Sequence, residues 1–154
     1  MAVFLPAGLP KARARITVNP KRHRKIPTAC EASAFGQRVI LVDTSVWIDH
    51  LRRGSERLRS LLQGDQVLCY PFIIDELACG NLHNRNEVLH LLESLPGAPV
   101  ADHTEVLHLI NAHRLYGQGL GWIDAHLLAS ALLIGCELWT SDRLLHALAS
   151  RVGL

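Results

Sequence analysis

The chain has 154 residues, 49% hydrophobic and 19% charged, with 16 Lys plus Arg against 14 Asp plus Glu. This mix suits one soluble domain, excludes collagen-like, coiled-coil and wholly disordered chains, and contains no run near the ~20 apolar residues that a membrane-spanning helix needs. The net charge of +2 is made of unlike parts: residues 1–38 hold eight bases and one acid, a net +7, whereas residues 39–154 hold eight arginines and thirteen acids, a net −5. Every lysine lies in the first part, so charge and composition place a boundary at Arg38/Val39.

Residues 1–38 carry four prolines and no apolar run of helical or strand period, which predicts a disordered basic extension. Its bases follow a short, proline-broken apolar start, the wrong order for a signal peptide. Lys21-Arg22-His23-Arg24-Lys25 is a candidate nucleic-acid contact or targeting signal. The alternative is a dispensable leader, or sequence upstream of a true start at Val39. Cys30, Cys69, Cys79 and Cys136 form no CxxC pair, so reduced, mostly buried thiols and a cytoplasmic location are expected.

Val39–Val42 is a short β-branched apolar run, as in a strand buried on both faces of a parallel sheet, and it ends at Asp43. Thr44-Ser45 open a helix with Val46, Trp47 and Leu51 at helical spacing, stopped by Gly54. A second helix is predicted over Ser55–Leu62, a strand over Gln66–Tyr70, and a helix over Phe72–Cys79 behind Pro71. Asn84–Leu95 reads as a helix broken by Pro96-Gly97-Ala98-Pro99, with a brief strand near Val100. His103–Tyr116 follows as a helix, then Gly117–Gly121 as a flexible connection. Trp122–Ile134 is apolar nearly all round, the mark of a central buried helix. Cys136–Thr140 is a third strand, and Ser141-Asp142 cap a last helix, Arg143–Ser150. Strands alternating with helices define an α/β domain with a mainly parallel sheet covered on both faces.

Binding crevices of such sheets lie beyond the carboxyl ends of the strands. Asp43 and Asp142 fall at strand ends, Glu76 in the helix after the second strand, and Asp124 near the start of the central helix. Each aspartate also has a purely structural reading, as an acceptor for helix-terminal N–H groups. Glu76 sits between Ile73-Ile74 and Leu77-Ala78, where an ionised carboxylate needs a partner; Asp75 points about 100° away from it. Four converging carboxylates repel one another unless a cation neutralises them, and oxygen-only ligands favour Mg²⁺ or Mn²⁺. Such a site suits hydrolysis of a phosphodiester.

The segments Val39–Ile48 around Asp43, Asp75-Glu76-Leu77 before Gly80, Gly121–Ala131 around Asp124, and Trp139–Leu145 around Asp142 resemble the PIN domain, and more narrowly the VapC toxins of bacterial toxin–antitoxin pairs. The likeness covers residues 39–154 and implies a PIN-like three-layer α/β/α fold and a Mg²⁺-dependent endoribonuclease acting on RNA. It also implies a VapB-type antitoxin partner and a homodimer. By the same resemblance Asp43 and Asp124 hold the metal, Glu76 and Asp142 support them, and Thr44, Ser45, Thr140 and Ser141 supply hydroxyl contacts behind the carboxylates. The basic extension departs from the family pattern.

Rival readings are weaker. A haloacid-dehalogenase phosphatase needs a second Asp where Ser45 stands, a receiver domain needs a late lysine that is absent, and no P-loop exists. His103, His108 and His113 are spaced to fall on different helix faces, and His126 lies about 200° from Asp124, which suits a surface or packing role. Arg52, Arg53, Arg57 and Arg59 are candidates for RNA phosphate contacts, or simply solvated. The stripe Val46, Trp47, Leu51 and the set Leu58, Leu61, Leu62 read as core, with Trp47 or Tyr70 alternatively lining an antitoxin groove. A catalytically silent PIN-fold binding module and a housekeeping RNA-processing nuclease are the remaining alternatives.

Overall fold

Three short parallel strands organise the domain in the computed structural model, which describes residues 38–154. Strand β1 (Ile40–Val42) lies between β2 (Val67–Leu68) and β3 (Glu137–Trp139), with Ile40 opposite both Val67 and Glu137. All three β1 residues are buried although they alternate between faces, so both faces of the sheet are covered. Parallel neighbours require crossovers. Helices α1 (Thr44–Arg53) and α2 (Glu56–Gln63) connect β1 to β2; α3 (Pro71–Cys79), α4 (Arg85–Glu93), α5 (His103–Ala112) and α6 (Trp122–Ile134) connect β2 to β3; α7 (Arg143–Val152) ends the chain. The reading of residues 1–37 as a disordered extension lies outside the described residues.

The central helix is as its composition predicts: every residue from Ala125 to Ala131 is buried, including Ser130, whose hydroxyl donates to the Pro99 carbonyl at 2.8 Å. Gly135 ends α6 in the left-handed region at φ 70°, the conformation that lets its N–H reach back to the last carbonyls without a Cβ penalty.

Two expected elements shift. The strand near Val100 is absent; Val100 is exposed, and the pairing occurs three residues earlier, where Cys69 N–H donates to Pro96 O and Ala98 N–H donates to Cys69 O, both at 2.9 Å. Pro99 has no N–H and ends that pairing. The helix expected to reach Tyr116 stops at Ala112, because Arg114 turns left-handed (φ 51°) and drives Leu115 into the core. No sequence signal marks that turn, since arginine rarely adopts it.

Trp47 and Tyr70 are fully buried, so neither lines a surface groove. Cys69 and Cys136 are buried free thiols that burial pushes up to about 12 and about 11, whereas Cys79 is exposed.

His50 is also fully buried, its Nδ1 accepting the Ser55 N–H at 3.0 Å. Burial, then the Arg59 charge, lowers its pKa below the ordinary 6.5. The unfolded chain therefore takes up a proton that the fold refuses. Stability from this group is complete above pH 6.5 and falls as pH drops below it, by up to about 1.4 kcal/mol per pH unit until the folded value is reached. Urea denaturation across pH 7.5 to 5 should show this slope, reduced in His50→Gln.

Candidate active site

The end of β1 delivers Asp43 to the carboxyl edge of the sheet, where it is only 6% exposed. Its Oδ1 accepts the Thr44 N–H at 2.7 Å. Its Oδ2 accepts the Ser45 N–H at 3.3 Å, the Ser45 hydroxyl at 2.6 Å and the Thr140 hydroxyl at 2.8 Å. Four donors satisfy the oxygens of this buried side chain. The Asp43 N–H donates to Trp139 O at 3.0 Å, which fixes the β1 and β3 ends side by side.

Beyond β3, Thr140 links two of the acids: its oxygen accepts the Asp142 N–H at 2.9 Å while its proton goes to Asp43. The Ser141 N–H donates to Ser45 Oγ at 2.9 Å, whereas the Ser141 hydroxyl lies 3.5 Å from Asp49 and away from the acids. Asp142 Oδ1 caps α7 through the Leu144 and Leu145 N–H groups, as its structural reading required. From α1, the Thr44 hydroxyl donates to Glu76 Oε2 at 2.6 Å. Glu76 is therefore the acid of the Asp75-Glu76 pair that faces the site. It is solvent-exposed, not embedded as its apolar neighbours suggested, because those neighbours point to the other side of α3.

Asp124, half-buried in the first turn of α6, accepts the Gly121 N–H through Oδ2 at 3.2 Å. Burial raises its pKa above the ordinary carboxylate value, and the charges of Asp43, Asp142 and Glu76 raise it further against the opposing Gly121 bond. The other three predicted acids thus lie close enough to act on Asp124. Sequence reasoning missed Gly121: a Cβ there would stand 3.0 Å from Asp124 Oδ2, closer than ordinary contact, so any larger residue would press the carboxylate out of its place. A glycine immediately before the acid-bearing helix was the available signal.

None of the four acids joins an ion pair among the described residues. Nor do any three His, Cys, Asp or Glu side chains there already form a metal cage, since the aspartates turn oxygens toward backbone N–H groups and hydroxyls. The donor set is nevertheless all oxygen, and its mutual repulsion has no protein cation to offset it, which fits a hard divalent ion. The arginine group is less free than its sequence suggests: Arg53 pairs with Asp49 at 2.8 Å, Arg57 with Glu137 at 3.2 Å, and Arg59 with Glu56. Arg52 is exposed and unpaired among the described residues. His126 takes the packing role: it is 4% exposed, with Nδ1 3.0 Å from the Tyr70 hydroxyl.

Thr140→Val retains shape but removes the link between Asp43 and Asp142. Divalent-ion affinity should fall roughly 10- to 100-fold while the far-ultraviolet circular dichroism stays native, as read by calorimetric titration.

A short parallel sheet with converging carboxylates at its carboxyl edge defines an acidic-site α/β protein of nuclease type. The family model for the PIN domain matches residues 40–150. Ribonuclease VapC32 of Mycobacterium tuberculosis, from strains CDC 1551 / Oshkosh and ATCC 25618 / H37Rv, is 49% identical over 117 residues, covering 75% of this chain and 94% of that protein. The chain belongs to the PIN-domain family, among its VapC-type members, and the resemblance carried by the four acidic motifs holds.

Proposed function

We propose that the protein is a metal-dependent endoribonuclease, the toxin of a VapBC-type toxin–antitoxin pair, with residues 39–154 as its folded catalytic unit. The observation that carries this reading is the gathering of carboxylates from separate elements at the carboxyl edge of the sheet, where Thr44 beside Asp43 holds Glu76, Thr140 joins Asp43 to Asp142, and the charges of these three acids act on Asp124. Asp43 and Asp124 would hold the ion, with Glu76 and Asp142 supporting them. Mg²⁺, or Mn²⁺ in its place, supplies Lewis acidity and neutralises charge on the phosphodiester. The chain's own groups do the positioning. Ser45 and Thr140 hold Asp43 Oδ2, Thr44 orients Glu76, and the Gly121 N–H orients Asp124.

The substrate is RNA, the inhibitor a VapB-type antitoxin, and the working form a homodimer in the cytoplasm. No helix among the described residues is long and apolar enough to cross a membrane. Purified protein should cleave RNA in Mg²⁺ and stop in excess EDTA; cleavage that persists in EDTA overturns the metal mechanism. Growth arrest on expression, relieved by co-expressing the neighbouring upstream gene, separates a toxin from a housekeeping nuclease.

A further inference from the structure

Three of the four acids are knitted together by hydrogen bonds, and the fourth is not. Thr44 gives its N–H to Asp43 and its hydroxyl to Glu76, while Thr140 joins Asp43 to Asp142. Among the described residues Asp124 bonds only to the Gly121 N–H, at the start of its own helix. Its place relative to the other acids is therefore set by how α6 is docked, and the charges of Asp43, Asp142 and Glu76 push against it.

α6 is apolar nearly all round, and apolar burial is non-directional, so burial alone does not fix the rotation of this helix about its axis. Hydrogen bonds do. Among the described residues, α6 side chains make two to other elements: Ser130 to the Pro99 carbonyl, six residues beyond Asp124, and His126 to Tyr70, two residues beyond it. The second lies nearer to Asp124 by about 6 Å along the axis.

Tyr70 is fully buried immediately before α3, the helix that carries Glu76, and its hydroxyl stands 3.0 Å from His126 Nδ1. Burial pushes its pKa above the ordinary value, so the phenol keeps its proton and pairs with either tautomer of the imidazole. The Phe72 ring meets both partners edge-on, at 5.3 Å from Tyr70 and 4.9 Å from His126, and the Trp122 ring meets the imidazole edge-on at 4.7 Å. His126 is thereby held in orientation. It leaves α6 about 200° around the axis from Asp124, so Tyr70 grips the helix from the side away from the carboxylate.

We infer that the Tyr70 hydroxyl, acting through His126, is the positioning group that holds Asp124 at ion-binding distance from the other three acids and so tunes the site to a small divalent cation. This rests on the metal-dependent nuclease reading. Mg²⁺ demands short, near-octahedral oxygen ligands, whereas Ca²⁺ tolerates longer and looser ones. A helix released to rotate therefore weakens Mg²⁺ more than Ca²⁺.

Mg²⁺ and Ca²⁺ titrated separately into the metal-free protein by calorimetry give the ratio that checks this. Tyr70→Phe keeps every ring and removes one oxygen; Mg²⁺ affinity should fall about tenfold and Ca²⁺ affinity less than about threefold. His126→Leu should act alike, and the double variant should lose no more than either single one. Because the double variant removes both polar partners, its urea midpoint should recover toward the wild type while Mg²⁺ affinity stays low. His126→Asn, which keeps a polar group where Nδ1 stands, should restore most of the Mg²⁺ affinity despite its smaller side chain. A merely structural pair gives the opposite: affinities for both ions fall together and recover with the midpoint, which overturns the inference, as do additive losses. Should Tyr70→Phe fail to fold, the double variant and His126→Asn decide alone. A wild type that binds no Mg²⁺ overturns the metal reading and this inference together, whereas Mg²⁺ binding without RNA cleavage overturns the ribonuclease reading alone.

Discussion

Asp43→Asn should lower Mg²⁺-dependent RNA cleavage by at least about a hundredfold, and Asp124→Asn by a similar factor, but the two should move stability in opposite directions. Asp43 is buried and takes four hydrogen bonds, three of them on Oδ2. An asparagine that keeps its oxygen at the Oδ2 position turns its NH2 toward the Thr44 N–H, which is left unpaired at a cost of about 1–3 kcal/mol. Asp124 is the reverse case. Its ionised form is opposed by burial and by three neighbouring carboxylates, and asparagine retains an oxygen for the Gly121 N–H while removing the repelled charge. Asp124→Asn should therefore be at least as stable as the wild type without metal. Cleavage assays and denaturation in EDTA measure the two effects separately. If both variants lose stability equally, the repulsion argument fails; if either keeps full activity, the proposed metal ligands are wrong.

Those opposite signs come from features of unequal visibility in the sequence. Three of the acids could be placed because each follows a strand or opens a helix, and Glu76 because it stands in the helix after the second strand; β1 announces itself by an unbroken apolar run and α6 by being apolar nearly all round. Asp43, Glu76, Asp124 and Asp142 do meet at the edge where strand order and helix placement direct them. The relations among them were not legible. That Thr140 joins Asp43 to Asp142 depends on β1 and β3 being neighbours across 97 residues of chain, and only the observed strand order makes them so. The arginines misled in the same way, since Glu137 meets Arg57 only after the sheet has formed. Short-range periodicity likewise failed at Arg114, where burial of Leu115 overrides a backbone preference.

Charge gains a different meaning from the same geometry. The −5 of residues 39–154 is unusual for a protein that handles nucleic acid. Four of those negative charges sit at one edge with no basic partner, so the domain's affinity for RNA should depend on a divalent ion more steeply than that of a basic binder. Substrate and metal are then linked: each lowers the electrostatic cost of the other.

Trp47→Ala should cost about 3–5 kcal/mol, a large share of the roughly 5–15 kcal/mol typical of such a domain. Trp47 is fully buried among the core side chains of α1, and its ring meets His50 edge-on at 6.4 Å. Truncation leaves a cavity behind the helix that Asp43 caps, so partial loss of activity should accompany the loss of stability. Among the described residues the indole N–H has no hydrogen-bond acceptor, however, and this separates two variants. Trp47→Phe retains most of the packing and removes a buried unpaired donor, whose desolvation costs about 1–3 kcal/mol, so it should be far milder than alanine. Urea midpoints of the three proteins measure the ordering. An antitoxin groove at Trp47 would give another pattern: alanine would leave the midpoint unchanged and weaken antitoxin binding alone. A ring packed against His50 beneath a capped helix cannot behave that way, because its contacts are made before any partner arrives.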